Sequence, residues 1–185
     1  GISAVAVGNS AGKTTQGTNA VAVGVSAGQD TQGGSAVAVG NGAGQTTQGA
    51  NSVAVGLSAG LTTQGDSAVA VGDLAGQTTQ GGSATAVGKQ AGQTTQGISA
   101  TALGVFAGQT TQGVSTVAVG NRAGNSNQGD YSVAVGKNSG ITNQGANGIL
   151  INSTGSSLND TSVGHIRLKS STGELSFTTA AGWNM

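Results

Sequence analysis

A unit of 16 residues repeats nine times without a gap along this chain. Its consensus is G-x-S-A-V-A-V-G-x-x-A-G-Q-T-T-Q, and positions within the unit are numbered 1 to 16 below. A strict short period is typical of a solenoid, in which each unit forms one turn and packs on its neighbours. Because no unit differs chemically from the others, the repeat argues against an enzyme. The nine copies begin at Gly1, Gly17, Gly33, Gly49, Gly65, Gly81, Gly97, Gly113 and Gly129, and a tenth, degenerate copy begins at Gly145.

Positions 3 to 7 read S-A-V-A-V, which predicts a short strand with two apolar faces. Side chains alternate across a strand, so the valines share one face and the alanines share the other. We expect the valines to fill the interior of the solenoid and the alanines to contact a neighbouring chain, because a single-sided strand would alternate with polar residues. The predicted interior residues are Val37, Val39, Val53, Val55, Val69 and Val71. The predicted interface residues are Ala20, Ala22, Ala36, Ala38, Ala54, Ala68, Ala70 and Leu150.

Positions 11 to 16 read A-G-Q-T-T-Q and predict a second, more polar strand, since threonine favours strands. Glycine recurs at positions 1, 8 and 12, which predicts corners and argues against disorder. A thin turn of small residues buries little apolar surface, so we expect the chain to be an obligate oligomer. Glutamine at position 16 predicts a ladder of stacked side-chain amides along the axis. Its members are Gln16, Gln32, Gln48, Gln64, Gln80, Gln96, Gln112, Gln128 and Gln144.

Composition narrows the possible partners. Charged residues make up only 6% of the chain, and six Lys/Arg balance six Asp/Glu, so no basic stripe is available for nucleic acid. The sequence contains no run of 18 apolar residues, so it does not predict membrane insertion. The chain lacks cysteine, which excludes a disulfide scaffold or a thiolate metal site. The sequence contains no phosphate-binding loop and no dinucleotide-binding motif, so it predicts no cofactor.

The segment N-S-V-A-V-G at 51–56, followed by x-x-A-G, resembles the head repeat of trimeric autotransporter adhesins of the YadA type. The resemblance covers residues 1 to about 152. It implies an all-β, left-handed parallel β-roll in which three chains lie side by side as a homotrimer. The family's turns are commonly near 14 residues, and the extra length here falls in A-G-Q-T-T-Q. The longer unit, with N-G-I-L-I-N-S-T-G at 147–155, also resembles repeats of viral and phage fibre proteins, which end in a β-rich cap.

The repeat changes at Gly145, which divides the chain into a solenoid at 1–152 and a C-terminal β cap or trimerisation segment at 153–185. Alternation at 165–169 and again at 174–178, around Ser-Ser-Thr-Gly, predicts a hairpin. The predicted core of the cap consists of Ile166, Leu168, Phe177 and Trp183.

Neither acidic residues nor the single histidine predict a catalytic or metal site within one chain. Asp66 and Asp73 fall in one turn, but they occupy variable positions and are interpreted as solvated corner residues. His165 has no second histidine or cysteine nearby, so only three copies around a threefold axis could form a metal site. The remaining variable positions, such as Leu57 and Val105, are predicted to be either exposed or tucked between chains.

The favoured function is a structural fibre, stalk or adhesin-like attachment module, located on a virion or cell surface, with a host glycan or protein receptor as the potential partner. The alternative from another class is an ice-binding solenoid that uses the repeated threonines. Adjacent strand residues point to opposite faces, so we expect only one exposed threonine file, whereas a wide array needs two. A polysaccharide-cleaving tailspike would need paired carboxylates that the sequence does not supply.

Overall fold

The computed structural model describes residues 1–170 and shows an all-β parallel solenoid of about ten turns. Each full turn contributes one strand from positions 5 to 7 and one from the end of the unit, so successive turns stack into two sheets. Every pairing is parallel and joins equivalent positions of adjacent units, as in Val37↔Val53 and Gln48↔Gln64. The predicted parallel β-solenoid with 16-residue turns is therefore confirmed.

The first sheet, called the valine sheet, has eleven strands. They are β1 (Val5–Val7), β3 (Val21–Val23), β5 (Val37–Val39), β7 (Val53–Val55), β9 (Val69–Val71), β11 (Thr85–Val87), β13 (Thr101–Leu103), β15 (Val117–Val119), β17 (Val133–Val135), β19 (Ile149–Asn152) and β20 (Ile166–Lys169). The second, called the threonine sheet, has nine strands. They are β2 (Thr15–Gln16), β4 (Thr31–Gln32), β6 (Thr47–Gln48), β8 (Thr63–Gln64), β10 (Thr79–Gln80), β12 (Thr95–Gln96), β14 (Thr111–Gln112), β16 (Ser126–Gln128) and β18 (Thr142–Gln144).

The interior between the two sheets is lined by alanine. The alanines of the first strand of each turn therefore point inward, whereas the sequence predicted that they point outward. Alanines at positions 6 and 11, such as Ala38 and Ala43, are fully buried and form one continuous core cluster. The valines that flank them in the strand are only half-buried, on the outer face. The residues predicted as interior, namely Val37, Val39, Val53, Val55, Val69 and Val71, therefore lie outside. The residues predicted at an interface, namely Ala20, Ala22, Ala36, Ala38, Ala54, Ala68, Ala70 and Leu150, are fully buried within the single chain.

The width of the interior explains this reversal. A Cβ placed on Gly76, at position 12, would lie only 3.2 Å from the Ala70 Cβ and 2.8 Å from the Gln80 amide oxygen. Space this tight accepts alanine at position 6 and excludes the larger valine, because overpacking forces the backbone apart. In the tenth turn, position 16 is Asp160 instead of glutamine, and the larger Leu150 is fully buried there.

In the nine full repeats, position 8 forms a corner that only glycine fits. Gly56 has φ = 131°, and a Cβ there would lie 2.5 Å from the carbonyl oxygen of Gly72, its equivalent in the next turn. The close approach lets the Gly72 amide donate to the Val55 carbonyl of the preceding turn at 2.8 Å. Glycine at this corner therefore permits the stacking distance as well as the turn.

The C-terminal part of the described chain continues the valine sheet. β20 pairs in parallel with β19, and its register places Ile166 beside Ile149 and Leu168 beside Ile151. Both side chains consequently lie on the outer face and are exposed, and within residues 1–170 Ile166 and Leu168 form no cap core. Because the other predicted members lie outside that range, the cap core stays a prediction. Phe177, Trp183 and the second half of the predicted hairpin lie outside the described residues, and the boundary at 152/153 stays a prediction.

Candidate functional surfaces

The position-16 glutamines connect the two sheets across the interior. From Gln32 onward they are at most 3% exposed, although each begins on the threonine sheet. The Gln64 Nε2 donates to the carbonyl oxygen of Val53 in its own turn at 2.7 Å, and to that of Ala68 in the next turn at 3.2 Å. All nine members, Gln16, Gln32, Gln48, Gln64, Gln80, Gln96, Gln112, Gln128 and Gln144, donate to the position-5 carbonyl of their own turn.

The predicted amide-to-amide ladder at position 16 is therefore wrong as a general description. Among these glutamines in residues 1–170, only Gln80 donates to a neighbour in the column, Gln96, at 3.1 Å. Backbone carbonyls at positions 4 and 5, such as those of Ala68 and Val53, accept the glutamine hydrogen bonds instead. The position-16 glutamines thus connect the threonine sheet to the valine sheet through side-chain hydrogen bonds.

A true amide ladder occurs at position 13, which the sequence indicated only as variable. Gln93 donates to Gln77 at 3.0 Å, Gln109 donates to Gln93 at 3.1 Å, and Asn125 donates to Gln109 at 3.0 Å. Leu61 interrupts the column one turn before Gln77. The signal that could have found this ladder is the frequent glutamine at position 13, which recurs in register on a half-buried corner.

The outer side of the valine sheet, called the valine face, carries the side chains at positions 5 and 7. It is a double file of apolar residues interrupted only by Thr85 and Thr101 in the position-5 file. Adjacent turns cover one another, so most of these side chains are half-buried, whereas Val7 in the first turn is 57% exposed. No charged residue occupies either file from β1 to β20. This face is apolar, and within residues 1–170 no other strand packs against it.

The outer side of the threonine sheet, called the threonine face, carries positions 14 and 15. Both positions are exposed in every turn that has threonine there, as Thr46 and Thr47 show. The expectation of a single exposed file is therefore wrong. The reason is that the strand begins only at the second threonine, while the first lies in the preceding bend, where the strict alternation of a strand does not apply.

The flanks of the valine face carry scattered apolar residues. Leu57, Val25 and Val105 at position 9 are exposed, as is Ile98 at position 2. Phe106 is half-buried beneath Arg122, whose guanidinium carbon lies 5.8 Å from the ring centroid. These side chains widen the apolar strip without forming an enclosed site.

Three of the four acidic residues of the repeat, Asp66, Asp73 and Asp130, have structural partners. The Asp66 carboxylate accepts the Ala50 amide at 2.8 Å, and Asp130 does the same for Val114, so each caps a backbone group of the preceding turn. Asp73 lies 3.9 Å from Lys89 at the other end of β9. Asp66 and Asp73 thus flank opposite ends of one strand. Within residues 1–170, no cluster of three or more potential metal ligands occurs.

A small charged cluster surrounds Asp160 after the last full turn. Its carboxylate accepts the Ser162 amide at 2.9 Å, and it lies 3.6 Å from Arg167 and 3.8 Å from His165. The backbone hydrogen bond from Ser162 lowers the pKa of Asp160, outweighing the opposite effect of burial, and Arg167 and His165 lower it further. Arg167 belongs to β20, so the cluster links this strand to the preceding loop.

Acidification should loosen this terminal segment. Because the folded pKa of Asp160 is lowered, the carboxylate stabilises the fold above its ordinary pKa of 3.8, and this contribution is lost as the pH falls through the folded value. We expect the amide protection of β20 in hydrogen exchange to fall in that acidic window. An Asp160→Asn variant should show weaker protection at neutral pH and little further acid dependence. Equal pH dependence in both proteins would contradict the role of Asp160.

No helix long and apolar enough to cross a membrane lies in the part of the chain that the structure describes. In the comparisons with known proteins, no family model, curated protein or solved structure matches this chain.

Proposed function

We propose that the protein is a structural rod, a stalk or attachment module of a virion or cell surface, whose chains associate through the valine face and which performs no catalysis. The observation that carries the proposal is the uninterrupted outer file at position 7, apolar over eleven strands of one sheet. The absence of a catalytic role is proposed because each turn repeats the same small, uncharged side chains.

The dimensions of the valine face suit lateral association of long chains. At a strand spacing of about 4.8 Å, eleven strands extend over roughly 50 Å, and the two files are about 7 Å apart. This double file alone covers on the order of 350 Å², comparable to the largest apolar patches of monomeric proteins. The flanking residues Leu57, Val105 and Ile98 extend it towards the size of a specific interface.

The proposed interface therefore differs from the alanine face expected from sequence. The alanines already fill the interior of their own turn, which leaves the valines as the apolar surface available to a second copy. The resemblance of the repeat to trimeric adhesin heads favours three chains, each with its valine face towards the common axis. In such a homotrimer the threonine faces point outward.

Two charges on the valine face should dissociate the assembly. In a Val39→Lys/Val55→Lys variant, adjacent turns would place ammonium groups inside the proposed interface, where an unpaired charge is strongly unfavourable. We expect the wild-type protein to have the mass of three chains by light scattering and this variant to have the mass of one. The matched control, Thr47→Lys/Thr63→Lys, changes the same turns on the opposite sheet and should keep the wild-type mass.

Circular dichroism would verify that both variants retain the solenoid. A single-chain mass for the wild type, or unchanged assembly in the valine variant, would contradict association through this face. A glycan-binding screen with the wild-type rod then tests the attachment role. Selective binding of a surface glycan would support an attachment module over a simple spacer.

A further inference from the structure

We propose that the threonine face binds the surface of ice. The observation is a double file of exposed threonines on the sheet opposite the valine face. It is unbroken in the five turns from the third to the seventh. The members in those turns are Thr46, Thr47, Thr62, Thr63, Thr78, Thr79, Thr94, Thr95, Thr110 and Thr111.

The backbone holds these residues at constant spacing. β6, β8, β10, β12 and β14 pair in parallel with no offset, so each threonine of a strand lies beside its equivalent in the next turn. From Thr47 to Thr95, the amide of the second threonine donates to the carbonyl of the first threonine in the following turn, as in Thr47 to Thr62, at 2.9 Å. The first threonine is anchored in the same way, as in Thr62 to Gln77, also at 2.9 Å. Both files therefore repeat at the strand spacing of about 4.8 Å.

The hydroxyl groups of the files are available to an external partner. None of the threonine hydroxyls in these five turns forms a hydrogen bond within residues 1–170. Their neighbours at position 13 are engaged instead in the amide ladder of Gln77, Gln93 and Gln109. The face thus offers threonine hydroxyl and methyl groups that form no hydrogen bond within residues 1–170.

The chemistry of the face selects the class of partner. A threonine hydroxyl that exchanges one water for one ligand atom gains only about 0.5–1.5 kcal/mol, so a small ligand touching two or three of them would bind poorly. A partner that repeats in register can engage every turn at once, and the gains then accumulate as in multivalent binding. The five turns carry no charge on the face, which disfavours an ionic polymer, and no aromatic ring, which disfavours stacking on a sugar. An ice surface is an extended lattice of hydroxyl donors and acceptors and meets these conditions.

This inference is independent of the valine face, because the two surfaces belong to opposite sheets. Asp30 in the second turn and Asn127 and Asn143 in the eighth and ninth interrupt the double file. The central turns are therefore the place to test it.

The test measures thermal hysteresis and partition into growing ice for the purified wild-type protein and three variants. Thr63→Lys/Thr79→Lys places two bulky charges in the middle of the face and is expected to abolish both activities. Asn41→Lys/Asn121→Lys adds the same charge at exposed position-9 corners, where Lys89 and Lys137 already occur, and is expected to retain them. Thr63→Val/Thr79→Val preserves shape and strand preference while removing two hydroxyls, and it is expected to reduce both activities even if the lysine variant fails to fold.

The proposal is overturned if the wild type shows neither thermal hysteresis nor partition into ice, or if the valine variant matches the wild type. Loss of activity in the corner variant to the same extent as in the lysine face variant would overturn it too. Binding to an insoluble polysaccharide without thermal hysteresis would assign the face to a different partner. Light scattering on the same samples tests the proposed association of chains separately from ice binding. The threonine variants should have the same oligomer mass as the wild type, whatever their effect on ice binding.

Discussion

Replacing Gly56 with alanine is expected to destabilise the solenoid by about 3 kcal/mol or more, since a left-handed strained residue alone costs on the order of 1–3 kcal/mol. The added Cβ meets the Gly72 carbonyl oxygen at 2.5 Å and its carbonyl carbon at 2.7 Å, and both atoms belong to the backbone of the next turn. No side chain can move aside to relieve this contact. The two turns must separate, and the 2.8 Å hydrogen bond from the Gly72 amide to the Val55 carbonyl is then weakened.

Gly34 provides a matched control for this substitution. It lies at position 2 of the third turn, where a Cβ would meet nothing closer than the Thr18 carbonyl oxygen at 3.7 Å. Its equivalents in other turns include Ala50 and Ile98, so side chains are already accommodated there. We expect Gly34→Ala to change stability by no more than about 0.5 kcal/mol. Thermal melting of both variants would measure the difference, and similar melting temperatures would contradict the role of position 8.

Replacing Gln64 with glutamate is expected to destabilise the protein by about 3–5 kcal/mol at neutral pH, the range for an uncompensated buried charge. Gln64 is 1% exposed, and its Nε2 donates to the carbonyls of Val53 and Ala68. In the variant, carboxylate oxygens would face these carbonyl oxygens with no donor between them. Desolvation and repulsion would both raise the pKa of the introduced carboxyl.

The sign of the pH dependence follows from this shift. Because the folded pKa of the introduced glutamate is raised, its protonated form is favoured in the fold, and the destabilisation grows as pH rises above the unfolded value. Acidification should therefore restore part of the lost melting temperature, since a protonated carboxyl can donate to one carbonyl. A variant that is equally destabilised in acid and at neutral pH would indicate lost packing alone.

The control for this experiment is Gln77→Glu. Gln77 lies three residues before Gln80, the position-16 glutamine of the turn that follows the turn of Gln64. Gln77 is half-buried at position 13, and its oxygen accepts a hydrogen bond from Gln93 at 3.0 Å. A carboxylate accepts that bond equally well, so we expect little change in melting temperature. The pair separates the effect of burying a charge from the effect of changing an amide to a carboxylate in the repeat.

The contrast between these two glutamine columns shows where sequence analysis reached its limit. Glutamine at position 16 predicted an amide ladder, because stacked amides in register commonly bond to one another. In the folded chain, Gln64 reaches across the interior to the opposite sheet, and its amide meets a carbonyl before it meets another amide. The ladder instead formed at position 13, where Gln93 and Gln109 lie half-buried on a corner, outside the interior between the sheets.

The threonine pair illustrates a second limit. Alternation along a strand predicted that Thr46 and Thr47 point to opposite sides, yet the strand of the fold is only Thr47–Gln48. The first residue of this strand depends on where the preceding corner ends, and contacts between adjacent turns determine the shape of that corner. A two-residue strand is too short for the rule of alternation to reach the residue before it.

The sequence alone determined the parallel solenoid, its 16-residue turn and the location of its strands and corners. These follow from local requirements: a strict period imposes equivalent turns, fixed glycines mark backbone positions without room for a Cβ, and alternation separates valines from alanines. Which of the two apolar faces lies inside was decided only by the tertiary structure. The distance between the sheets is set by the corners and the bracing glutamines together, and that gap admits Ala70 but not a valine. The outward valine face, on which the proposed association of chains depends, is the consequence of that narrow interior.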